Sequence, residues 1–180
     1  LVHARAPSWL RMEIIDEDDL GTFRAAMRDA EVLLHVLAPV TADVLEAAPR
    51  LVLVQKLGVG VNTIDLEAAA RLGVGVANMP GTNTQAVAEH VLALVFALLR
   101  RIPELDRETR SGRGWHIDSS TIDAMGEVCG RTVGLVGFGA VARRLAAIFE
   151  ALGARVIFTT RAPTGDARQR TLDALLTESD

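Results

Sequence analysis

The feature that most restricts what this chain can fold into lies at residues 131–159. A short β-rich run, Thr132-Val133-Gly134-Leu135-Val136, leads into Gly137-Phe138-Gly139-Ala140-Val141-Ala142, a G-x-G-x-x-A string. An Ala-rich, helix-period stretch occupies 141–152, Gly153 ends it, and a second β-rich run comes next at 155–159. Two strands joined by a helical crossover of this length lie parallel in one sheet. Parallel strands need helices over their faces, which places the chain in the α/β class.

The rest of the chain repeats the alternation. Further β-rich runs stand at 12–15, 32–36, 51–55 and 74–77, with helical patterns at 20–29, 41–48 and 64–72 between them. Continuous Val/Ile/Leu strands predict a parallel sheet covered on both faces. Asn62 and Thr63 are both able to cap the third helix, and Gly73 ends it. Beyond the Pro80-Gly81 turn, Thr82 and Gln85 have the spacing of a capping box. The helix they open, about 84–101, is apolar on nearly every face and is expected to be buried between layers or domains. Pro103 breaks the pattern, and 104–114, with Asp106 and Arg110 four apart, reads as a solvated helix. A Gly- and Ser-rich arm at 111–130 then holds the expected domain boundary. This divides the chain into 1–110, the arm 111–130, and 131–180.

Composition narrows the function. In 180 residues, 49% hydrophobic content supplies ample core, while a formal net charge of −4 gives no broad electropositive field for nucleic acid. Cys129 is the single cysteine, so neither an internal disulfide nor a Cys-x-x-Cys metal or redox site can form. A reducing, cytoplasmic setting is the natural expectation. The longest apolar run, 91–99, falls far short of the roughly 20 residues that span a bilayer, and no secretion leader opens the chain. The start at Leu1 and the helical finish at 172–180 with no strand after it both read as cut ends.

The glycine string admits two readings, a phosphate-gripping turn or a ligand-free strand-to-helix corner. Its strand-turn-helix-strand setting is the one a dinucleotide fingerprint requires. Gly137 would permit the tight turn, Gly139 would let the backbone approach a pyrophosphate, and Ala142 would let the helix pack closely on the strand. The N–H groups of Ala140 and Val141 would meet phosphate at the positive helix end. At the end of the next strand, about 20 residues on, where an NAD site usually carries a carboxylate, the chain reads Phe158-Thr159-Thr160-Arg161. A hydroxyl and a guanidinium, Thr160 and Arg161, suit a 2′-phosphate and predict NADP preferred over NAD.

A second glycine turn, Gly58-Val59-Gly60, ends the strand at 51–55. Its successive N–H groups could form an anion-binding concavity, or it could be a plain turn. Together, Gly58 to Asp65, Asn78 to Asn83, Val87 to His90, Gly114-Trp115 and Gly126 to Gly139 resemble, from about residue 30 onward, the D-isomer-specific 2-hydroxyacid dehydrogenase family. That resemblance implies a flavodoxin-like substrate domain followed by the start of a Rossmann dinucleotide-binding domain, with a cleft between them. It implies reversible reduction of a 2-keto acid to the D-2-hydroxy acid. It also implies Val59 and Gly60 as backbone ligands of the substrate carboxylate, Val87 beside the nicotinamide, and a homodimer. Thr160-Arg161 resembles the NADP-using branch that includes glyoxylate and hydroxypyruvate reductases.

The chemistry needs a proton donor and a cation that orients the substrate. In the family these are an Arg, a Glu and a His, all beyond the second Rossmann strand and its helix, and none is assigned here. Of the four histidines, His3 and His35 fall near the first strands, His116 in the arm and His90 beside Glu89 on the apolar helix, where adjacent residues do not face each other. Cys129 has no basic partner in view. The expectation is that the 180 residues alone are inactive and poorly folded, because two Rossmann strands would leave apolar faces uncovered. A non-catalytic, cofactor-sensing corepressor on the same scaffold is the competing class. A formate or phosphite donor is disfavoured by the plain Gly58-Val59-Gly60.

Overall fold

Three parallel strands, β1 (Val32–His35), β2 (Leu53–Lys56) and β3 (Gly75–Ala77), form the first sheet in that spatial order. The computed structural model describes residues 7–16, 18–114, 116 and 118–180, and these divide into two compact units, Leu1–Thr82 and Asn83–Asp180. In the first unit the strands alternate with α1 (Leu20–Met27), α2 (Ala42–Glu46) and α3 (Leu66–Arg71). One core holds the unit, with Met27, Leu45, Val54, Ala68 and Ala69 almost wholly buried. Leu33, His35, Val54 and Lys56 point into it, while Val32 and Leu34 on the opposite face remain about half exposed. Among the described residues, β1 is thus covered on one face rather than two. Residues 12–15, expected as a strand, pair with no strand among the described residues, because an alternating pattern becomes a strand only when a neighbour supplies the ladder.

Helix caps differ from expectation in an instructive way. Asp65, not Asn62 or Thr63, caps α3 by accepting the Ala68 N–H at 2.9 Å, and Gly73 after the helix lies in the left-handed region. The capping box at Thr82 and Gln85 does not form. Thr82 donates to Met79 O and Gln85 to Glu89, leaving Asn83 as an N-cap whose side chain makes no capping bond.

The second unit begins with α4 (Thr84–Leu99), α5 (Ile102–Arg110) and α6 (Ser119–Asp123). The compact units therefore meet at Thr82–Asn83, ahead of the expected boundary in 111–130, and the apolar helix belongs to the second unit rather than the first. Its Ala88, Val91, Leu92 and Val95 pack into the same core as Leu145, Ala146 and Phe149. The opposite side, with Leu94 and Leu98, stays exposed, so the all-round apolar pattern corresponds to burial on one face only. The second sheet pairs β4 (Thr132–Val136) with β5 (Arg155–Thr159) in parallel, and α7 (Ala140–Ala151) connects them. A last helix, α8 (Leu172–Glu178), closes the face away from α7: a Cβ on Gly134 would stand 2.8 Å from Leu175 Cδ2. Val156, Ile157 and Phe158 are accordingly buried on both faces, against the expectation that two strands would be left uncovered.

Candidate functional site

At the carboxyl end of β4 the chain turns on Gly137, whose φ of +91° lies in the region that favours glycine. Gly139 is the N-cap of α7 with extended backbone and no side chain to cap the helix. The first intrahelical bond runs from Arg143 N to Gly139 O, so the N–H groups of Ala140, Val141 and Ala142 donate to no group among the described residues. In α1, α3, α6 and α8, by contrast, an Asp or Thr side chain accepts such a bond. A Cβ built on Gly139 would meet nothing within 4 Å. Open space, three unused donors and the positive end of a 12-residue helix together fit a phosphate group. Phe138, the residue between the glycines, stacks on Phe158 of β5 with centroids 3.9 Å apart. This contact braces the turn against the neighbouring strand.

The loop after β5 is preformed. Gln169 accepts from the N–H and hydroxyl of Thr164 at 2.7 and 2.8 Å, and donates to Thr160 Oγ1 and Ala162 O. Thr160 in turn donates to Ala162 O, which commits its hydroxyl proton to shaping the turn. Arg168 lies over the Phe138 ring and pairs with both Asp166 and Glu150. Hydrogen bonds from the Arg168 side chain and backbone N–H hold the Asp166 carboxyl down at about 2. Arg168 is therefore a neutralised, structural cation. Arg161 is exposed and has no ion-pair partner among the described residues, which leaves its five donors available.

In the first unit, Gly58-Val59-Gly60 leaves the carboxyl end of β2 without a positive φ at either glycine, so it is not the alternating right- and left-handed nest. Its geometry comes from its carbonyls. Met79 N donates to Gly58 O at 2.9 Å, and Asn78 Nδ2 donates to Val59 O at 2.7 Å. The N–H groups of Val59 and Gly60 have no acceptor among the described residues. Beneath the turn, His35 donates from Nε2 to Ala38 O, and Lys56 Nζ donates to Val36 O, which ties down the loop after β1. These pins are not legible in the sequence, since nothing in Asn78 or Lys56 alone reveals which carbonyl it meets.

The candidate residues thus fall into two groups. Gly137, Gly139, Ala140, Val141, Ala142, Thr160 and Arg161 come together at the carboxyl ends of β4 and β5. Val59 and Gly60 stand in the first unit, and Val87 lies partly exposed in the first turn of α4. Among the described residues no histidine bonds a carboxylate. His35 is buried against Ala38 O with Nδ1 unpartnered, and Glu89 is bound by Gln85 rather than by His90. No group of His, Cys, Asp and Glu able to hold a metal occurs among them, nor any helix long and apolar enough to cross a membrane.

Comparison with known proteins identifies the family. The family profile for the D-isomer specific 2-hydroxyacid dehydrogenase catalytic domain matches residues 5–178. The chain belongs to the D-isomer-specific 2-hydroxyacid dehydrogenase family. The match begins well before residue 30, where the sequence resemblance becomes legible. A glyoxylate reductase of Aeropyrum pernix is 37% identical over 169 residues, covering 88% of this chain and 50% of that protein. A D-3-phosphoglycerate dehydrogenase of Mycobacterium leprae is 40% identical over 144 residues, covering 79% and 26%. An NAD-dependent formate dehydrogenase from Staphylococcus aureus, solved in complex with NAD, superposes with a TM-score of 0.81 at 26% identity, covering 92% of this chain and 51% of that one. The chain spans about half the length of the first and third of these proteins, and about a quarter of the second.

Proposed function

We propose that this chain is part of an oxidoreductase that reduces a small 2-keto acid, of the glyoxylate or hydroxypyruvate type, to the D-2-hydroxy acid, with NADP(H) preferred over NAD(H). The observation that carries the reading is the turn from Gly137 to Ala142, where an uncapped helix start with three unused N–H groups opens onto space that any side chain on Gly139 would fill. Such a start accepts a pyrophosphate. Family membership supports the same assignment, and the glyoxylate reductase and the formate dehydrogenase bound to NAD are consistent with it. Val87 would border the nicotinamide. Preference for NADP(H) rests on Arg161: with no carboxylate beside it, its guanidinium can bind a 2′-phosphate bidentately, and Thr160 holds the turn that presents it.

When bound, a reduced nicotinamide would supply a hydride to the keto carbon. The chain's own contribution is to hold the substrate: the N–H groups of Val59 and Gly60 would take its carboxylate, leaving the carbonyl free to react. Protonation of the resulting alkoxide is assigned to no residue of this chain, so the 180 residues alone are expected to bind without turnover. The apolar row of Leu94 and Leu98 on α4 supports burial against another surface, in keeping with a homodimer of the complete protein.

The test compares NADPH with NADH in the complete protein, with glyoxylate and hydroxypyruvate as substrates. The expected result is turnover with NADPH favoured, and Arg161→Ala is expected to weaken NADPH roughly 10- to 100-fold, the worth of a charge-assisted phosphate pair, while barely affecting NADH. A wild-type preference for NADH would overturn the cofactor assignment. Tight dinucleotide binding with no keto acid turnover would favour the sensing reading instead.

A further inference from the structure

We propose that Asn78 is a positioning residue for the substrate carboxylate: it holds the Val59–Gly60 peptide so that its N–H points away from β3, alongside the Val59 N–H. This rests on the reading of Gly58-Val59-Gly60 as the carboxylate site. A trans peptide is planar, with C=O and N–H directed to opposite sides, and no peptide among the described residues is cis. The Gly58 carbonyl is drawn to Met79 N at 2.9 Å and the Val59 carbonyl to Asn78 Nδ2 at 2.7 Å. In extended backbone, successive carbonyls alternate sides. Here two in succession are drawn to the same segment, 78–79.

The consequence is chemical. The N–H groups of Val59 and Gly60 belong to those same two peptides, so both turn away from 78–79 together, and neither meets an acceptor among the described residues. Two adjacent donors facing one side match the two oxygens of a carboxylate. Met79 contributes through its backbone, which any residue could do. Asn78 contributes through its side chain, so at this position the sequence itself sets the geometry. Its exposure means that removing it changes little buried surface and should leave the fold intact.

The experiment titrates the protein with oxamate, an unreactive analogue of a 2-keto acid, and follows the amide resonances of Val59 and Gly60. In the wild type both should shift along one isotherm. Asn78→Ala should weaken oxamate about tenfold, as expected for loss of one orienting hydrogen bond. Asn78→Asp, which loses the donor and adds a repelling charge, should weaken it further, and Asn78→Gln should recover part of the affinity. Dinucleotide affinity and melting temperature should stay at wild-type values. In the complete enzyme, Asn78→Ala should raise KM for the keto acid about tenfold with little change in kcat. If the wild-type amides respond to oxamate and Asn78→Ala binds it equally well, the role of Asn78 is overturned while the site stands. If the wild-type amides do not respond, both the site and the role are overturned.

Discussion

Two glycine turns of this chain look alike in sequence and are built differently. Gly58-Val59-Gly60 and Gly137-Phe138-Gly139 each come after a parallel strand and precede a helix. After β4, Gly137 at φ +91° sends the chain straight into α7, and Gly139 leaves that helix uncapped. After β2, neither glycine takes a positive φ, and the next helix is already capped by Asp65. The first turn must therefore offer its own two N–H groups, freed because their carbonyls are held elsewhere. The second offers a helix end. A pair of amides suits a single carboxylate, whereas the start of a helix suits the larger charge of a pyrophosphate.

The largest effect should come from Gly139→Asp. Its φ of −78° tolerates a side chain and the space is open, so the carboxylate should cap α7 and stabilise the fold by about 1 kcal/mol. The same charge would stand where the proposed pyrophosphate would bind, and dinucleotide affinity should then fall by roughly 100-fold or more. Calorimetric titration and a thermal melt read the two effects separately; unchanged affinity would sink the assignment of the second turn.

Next, Gly137→Ala and Gly58→Ala test whether the turns differ in backbone. A Cβ at Gly137 meets nothing within 4 Å, so the cost there is conformational, about 1–2 kcal/mol. At Gly58 the nearest atom is the flexible Lys56 Cε at 3.4 Å and φ is not positive, so the change should be within about 0.5 kcal/mol. Equal destabilisation in urea would erase the distinction.

The smallest effect concerns the brace around the second turn. Asp166 should titrate near 2 by carboxyl NMR, and Arg168→Gln should return it towards 3.8. Because the folded value is the lower one, the stabilisation is complete above about pH 4 and is lost as the pH falls towards 2. No comparable group lies among the described residues at the first turn, so an acid-induced change should begin around Phe138 and Phe158. A midpoint for Asp166 at the ordinary value would refute the brace.

Much of this was legible because it depends on local backbone chemistry. The strand at 155–159, the helix stop at Gly153 and the crossover between β4 and β5 come from propensity and glycine conformation, and they appear where the pattern put them. The boundary at 82/83, the one-sided burial of α4 and the failure of 12–15 to pair were not legible. Each depends on which surface a segment meets, and an apolar residue carries no record of its partner. The same holds for capping: Asn62, Thr63 and Asp65 all carry suitable oxygens, and only the path of the chain decided which one reaches an orphan N–H.

By itself, then, the sequence determined an α/β chain with two glycine turns after parallel strands and a cation in place of a carboxylate after β5. These are properties of short peptides, set by φ, hydrogen-bonding groups and charge. Only the tertiary structure decided that Thr160 spends its proton within its own loop, that Arg168 is neutralised while Arg161 is not, and that Asn78 reaches across to Val59 O. A hydrogen bond between residues nineteen apart exists only once β2 and β3 lie side by side, and no local preference encodes that distance.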